Sequence, residues 1–193
     1  MKHYSAEWES GKIYTAIKNG ETVILRDTDA AFIICSSLDQ DAIRKAFCIK
    51  GKEQSNPLVL FCASLSMIEK YTDLSFSLIS YRFCEEVFPS STIVLLPTAE
   101  SIPDIIHCGQ KSTGYCSPPE RLLRQWSNLL QAPIVLISVP SQVIESKSTE
   151  IDVVVDYPLF SPREAIVVDG RIGLHRVEKG SPEAGIFPDI AVR

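Results

Sequence analysis

Short apolar runs bounded by polar turns recur from one end of the chain to the other, and stretches with helical spacing lie between them. This alternation is the strongest constraint on the fold, because a period of two and a period of 3.6 bury different faces and must be packed in layers. The β-prone runs are residues 22–25, 31–35, 57–62, 92–96, 134–137, 151–155, 165–168 and 172–175. Helices are expected where apolar residues return every third or fourth position. The first is capped by Ser5, carries Trp8, Ile13, Ala16 and Ile17 on one face, and stops at Gly20. Others open at Asp39 or Gln40 and run to Ile49, cover residues 64–70 and 75–87, and follow Pro118 and Pro119 with Leu122, Leu123, Trp126, Leu129 and Leu130 inward. Residues 138–150 are expected to be a mobile loop, and the tail after Lys179 irregular. The pattern has no strict period and no repeat, so the fold class is α/β: a twisted, open, mixed sheet flanked by helices.

Several classes of function are excluded or weakened at once. The apolar runs fall far short of the ~20 residues that cross a bilayer, so no membrane partner is expected. Charges interrupt the segment Met1-Lys2-His3-Tyr4-Ser5-Ala6-Glu7-Trp8, which leaves a cytoplasmic location as the expectation. The 193 residues suit one domain spanning the whole chain, 1–193. Cys35, Cys48, Cys62, Cys84, Cys108 and Cys116 form no CxxC pair, and His3, His107 and His175 are far apart, so no metal is expected to be ligated. There is neither a Walker loop nor a dinucleotide fingerprint. A net charge of −5 leaves only a local basic patch to meet a polyanion.

Two segments carry chemistry. Lys50-Gly51-Lys52 puts two cations one residue apart at a helix exit, followed by a polar stretch and the run Pro57-Leu58-Val59-Leu60. Such a pair suits crowded phosphate charge, although lysines also solvate helix C-termini for purely local reasons. Earlier, the strand Val23-Ile24-Leu25 leads through Arg26-Asp27 into Thr28-Asp29-Ala30-Ala31-Phe32.

With these two segments the chain resembles the YrdC-like threonylcarbamoyl-AMP synthase family, from about residue 10 to 180. Thr28, Asp29 and Phe32 match the first family signature, with Asp27 in place of its proline and Ile33 in place of its glycine. Lys50 matches the Lys of the second, and Lys52 replaces its arginine. Phe88-Pro89-Ser90-Ser91-Thr92 is a shortened Trp-Pro-Gly-Pro-x-Thr turn, Cys116 stands where an arginine is expected, and only Ser138 remains of a Thr-Ser-Ala-Asn loop. Leu174-His175-Arg176 is similar to a terminal Leu-Arg.

The resemblance implies a sheet around a concave cleft and the joining of threonine, bicarbonate and ATP, with magnesium, into threonylcarbamoyl-AMP for tRNA modification. It implies that Lys50 and Lys52 act as the catalytic, phosphate-binding cations, and that Thr28, Ser138 and Arg176 contact substrate. Arg26 and Lys111 are further cations near the signatures in sequence. The family residues lost here include polar groups that the resemblance would place against ATP and threonine, so a second reading stays open: a catalytically impaired relative that binds RNA or a nucleotide, or partners the tRNA-modification machinery. tRNA, double-stranded RNA and other proteins of that machinery are the macromolecular partners implied.

Overall fold

The computed structural model describes residues 1–27, 31–51, 57–72, 78–90, 92–157, 165–169 and 177–180. The described strands, most of them rich in β-branched residues, are β1 (Lys2–Ser5), β2 (Val23–Arg26), β3 (Ala31–Ser36), β4 (Val59–Phe61), β5 (Ile93–Pro97), β6 (Ser112–Cys116), β7 (Ile134–Val139), β8 (Val153–Asp156), β9 (Ala165–Asp169) and β10 (Val177–Gly180). The helices between them are α1 (Ser10–Lys18), α2 (Gln40–Lys50), α3 (Leu65–Tyr71), α4 (Leu78–Val87), α5 (Asp104–His107), α6 (Arg121–Leu130) and α7 (Ser141–Ser146).

The described strands pair into one open mixed sheet in the order β1-β8-β2-β3-β7-β4-β6-β5-β9-β10. Parallel pairs join β1 to β8, β8 to β2, β4 to β6 and β5 to β9, and the remaining neighbours are antiparallel. These senses put the C-terminal ends of β1, β2, β5, β7, β8 and β9 at one end of the sheet. The N-terminal ends of β3, β4, β6 and β10 meet them there.

Side chains alternate across the pleat and supply two cores. Ile24, Ile33, Cys35, Leu60, Val94, Tyr115, Val135, Ile137 and Val154 face one layer, with Ile43, Ala46 and Ile49 of α2 and Met67 and Ile68 of α3. Val23, Leu25, Ile34, Ile134, Val153 and Val155 face the other, with Ile13, Ala16 and Ile17 of α1 and Leu123 and Trp126 of α6. The Trp126 indole donates to the Ser10 hydroxyl at 2.9 Å, so the two helices of that layer are tied by a part-buried hydrogen bond. Asp39 caps α2 by accepting from the Ala42 N–H at 2.9 Å, and Gly51 ends it at φ 69°, where a side chain would be strained.

Four expectations need correction. The first helix begins at Ser10, while residues 2–5 form edge strand β1 and Trp8 is 86% exposed. Residues 141–146, expected in a mobile loop, form α7. β6 was not anticipated: its Ser-Thr-Gly-Tyr-Cys run is wholly buried yet carries no apolar run to mark it. Residues 177–180 form β10, a strand that was not anticipated, while the tail expected to be irregular lies from residue 181 outside the described residues. The run expected at 172–175 lies outside the described residues.

Candidate active site

The converging strand ends gather the segments that the resemblance marks. Val139 closes β7 beside Ala31, which opens β3, and Phe32 and Ser138 are direct partners in that antiparallel ladder. Lys50 closes α2, the helix that returns the chain from the far end of β3 to the start of β4. Its ammonium lies 6.0 Å from the Phe47 ring centroid. Thr28, Lys52 and Arg176 lie outside the described residues. Their described flanks belong to this end: Arg26 and Asp27 on one side and Ala31 on the other, Gly51 before β4, and Val177 opening β10. Lys111 precedes β6 here as well.

Lys50 and Ser138 approach this end from opposite layers. α2 packs on the Ile33/Ile137 layer, whereas Ser138 shares its pleat face with Ile134 and Leu136, two residues apart each time. A substrate touching both therefore lies across the strand ends. On the Ser138 face, Phe32, Leu136, Val59 and Phe61 are half-buried, which gives an apolar strip with the Ser138 hydroxyl toward one end.

Cys116, where the resemblance implies an arginine, is buried beside Ile93 and Leu95 at the far end of this strip, away from Ser138. Its thiol donates to the Ser90 carbonyl at 3.3 Å. Burial first, and then the Glu120 charge, push that thiol well above the ordinary range, so the position holds a neutral group and no cation.

One pairing at this end is legible only in three dimensions. Arg26 closes β2 and Asp156 closes β8, and parallel register sets them side by side. The Arg26 Nε donates to Asp156 Oδ1 at 2.7 Å, with the side chains 44% and 67% exposed. That hydrogen bond and the charge of Arg26, helped by His3, hold the Asp156 carboxyl below its usual range despite some burial. The signal in sequence is that Val-Ile-Leu-Arg and Val-Val-Val-Asp are matching apolar strands ending in opposite charges. Nothing local says that strands 130 residues apart are neighbours.

Compared with known proteins, residues 15–176 match the Sua5/YciO/YrdC family, described as telomere recombination. The chain belongs to the Sua5/YciO/YrdC family. Among curated relatives it is 24% identical over 144 residues to the threonylcarbamoyl-AMP synthase of Pyrococcus abyssi, covering 73% of this chain and 40% of that protein. It is 27% identical over 111 residues to a putative threonylcarbamoyl-AMP synthase of Methanocaldococcus jannaschii, covering 58% and 52%. The chain thus spans about half the length of these relatives or less. Two structures of P. abyssi Sua5, a double variant and a complex with L-threonine, share its fold with TM-scores of 0.77 and 0.70. Their identities are 19% and 20%, the first covering 92% of this chain and 60% of that one, the second 87% and 53%. E. coli YciO has a TM-score of 0.71 at 13% identity, covering 93% of this chain and 94% of YciO. The Sua5/YciO/YrdC fold is thereby shown, and with it the open α/β sheet read from the sequence.

Proposed function

We propose that this member of the Sua5/YciO/YrdC family is an L-threonylcarbamoyladenylate synthase. The observation that carries the reading is the arrival of Lys50, Ser138 and the flanks of Thr28 and Lys52 at one end of the sheet, in a chain whose curated relatives are named for that activity. In the proposed reaction the threonine amine takes up carbon dioxide from bicarbonate to give a carbamate. A carbamate oxygen then attacks the α-phosphorus of ATP, the bond from that phosphorus to the bridging oxygen breaks, and pyrophosphate leaves. The residues position the reactants and offset charge rather than form covalent intermediates. Lys50 and Lys52 neutralise phosphate oxygens, and the hydroxyls of Thr28 and Ser138 orient the amino acid. Arg176, the residue before Val177 in sequence, supplies another cation.

Among the described residues no group of three or more His, Cys, Asp or Glu side chains is placed to hold a metal ion. Magnesium would arrive with the nucleotide, as the ATP chelate that is the substrate. The proposed product serves tRNA modification. Contact with tRNA or with other proteins of that machinery would be local, since a net charge of −5 gives no general attraction to a polyanion. Among the described residues no helix is long and apolar enough to cross a membrane.

The test is pyrophosphate release from ATP by the purified protein, with threonine and bicarbonate supplied together, singly or not at all. Release that requires both is the expected result. A folded protein that releases none would instead be a relative that retains the fold without synthesis, the direction in which Cys116 points.

A further inference from the structure

We infer that Arg26 grips the carboxylate of the amino-acid substrate, held in place by Asp156. The inference rests on the synthase reading and names a residue which that reading leaves without a role. A synthase of this kind must hold a planar carboxylate while the amine next to it reacts. The family's cations are altered in this chain: Lys52 is a point charge where the family has an arginine, and Cys116, neutral and buried, lies at the opposite end of β6 from this site. A guanidinium fits a carboxylate through two parallel N–H bonds, which an ammonium cannot reproduce.

Arg26 closes a strand at the substrate end, two residues before Thr28. The other arginines among the described residues, Arg44, Arg82, Arg121 and Arg124, are carried by helices. Asp156 takes the Nε edge of Arg26 at 2.7 Å, so the fork formed by the two terminal nitrogens stays available among the described residues. The backbone is fixed on both sides: Arg26 pairs with Ala31 and with Asp156, and its carbonyl accepts from the Tyr157 N–H at 3.0 Å. A strand-borne arginine tethered at Nε is the arrangement that presents a fork with little rotamer freedom left to lose. Asp156 acts through Arg26 and is a positioning residue.

The experiment titrates threonine, L-threoninol and ATP separately into the full chain by calorimetry, for the natural protein and for R26Q, R26K and D156A. Threoninol carries an uncharged hydroxymethyl group in place of the carboxylate. The natural protein is expected to prefer threonine over threoninol by about tenfold or more, the range for a charge-assisted pair. In R26Q the preference falls to near unity while ATP affinity is kept, and R26K recovers only part of it. D156A lowers the preference by a smaller factor and adds nothing in the R26Q background, the non-additivity of residues acting in series. A threonine preference undiminished in R26Q, with binding otherwise normal, overturns the inference and leaves the synthase reading standing. A natural protein that is folded and binds neither threonine nor ATP overturns both.

Discussion

At the scale of single residues, chemistry at this site depends on which groups stay charged. Four of the six cysteines are buried, and burial pushes Cys35 and Cys84 up to about 12 and Cys62 and Cys116 well above the ordinary thiol. Cys48 and Cys108 are exposed. At about pH 8, a thiol reagent is expected to label Cys48 and Cys108 quickly and the other four only in denaturant, a pattern mass spectrometry reads directly. The cations behave oppositely, because they matter only while they face solvent and substrate. Replacing Lys50 and Lys52 together by alanine is expected to abolish ATP binding while leaving the circular dichroism unchanged; undiminished affinity would remove both from the site. The resemblance pointed to Ser138 and Phe32 from short motifs, and the ladder makes them direct partners. Arg26 and Asp156 escaped as a pair because their proximity comes from register between distant strands, which no local motif encodes.

Among elements, the helix with the clearest signals was the most legible. Asp39 as a cap, apolar residues at Ile43, Ala46 and Ile49, and Gly51 as the stop mark out α2 almost to the residue. Where local chemistry pointed one way and tertiary pairing another, pairing won. Ser5 was expected to cap a helix but ends β1, a strand that has β8 as its partner. β6 escaped because Ser112, Thr113 and Gly114 take the place of an apolar run in a fully buried strand. The glycines at helix ends separate backbone strain from packing. Gly51 (φ 69°) and Gly20 (φ 70°) both have left-handed backbones, but a Cβ on Gly51 meets nothing within 4 Å, while one on Gly20 lies 2.9 Å from Asp39 Oδ2. Gly51→Ala is expected to cost about 1 kcal/mol in urea unfolding, from the backbone alone. Gly20→Ala should cost about 1 kcal/mol more, since it displaces the α2 cap.

For the whole molecule, stability leans on contacts between distant parts of the chain. Asp152, just before β8, accepts from the Thr22 N–H at 2.8 Å and from the Lys45 ammonium at 3.3 Å. Burial tends to raise its pKa, but those two hydrogen bonds and the nearby lysine charges outweigh it and hold the carboxyl below its ordinary 3.8. A lowered carboxyl contributes stability at neutral pH that is lost as the pH falls through the folded value. Asp152→Asn is therefore expected to cost about 1 kcal/mol at neutral pH, given partial exposure, with the gap to the natural protein closing below pH 3.8. Urea midpoints measured across that interval check the sign. The position of β8 between β1 and β2 also bears on how the molecule is made. A nascent chain emerging from the ribosome presents β1 and one edge of β2 long before residues 153–156 exist to fill the gap. Until then those edges are open templates for wrong pairing, so translation must run past β8 before this side of the sheet can close, and chaperones have most to shield in that interval.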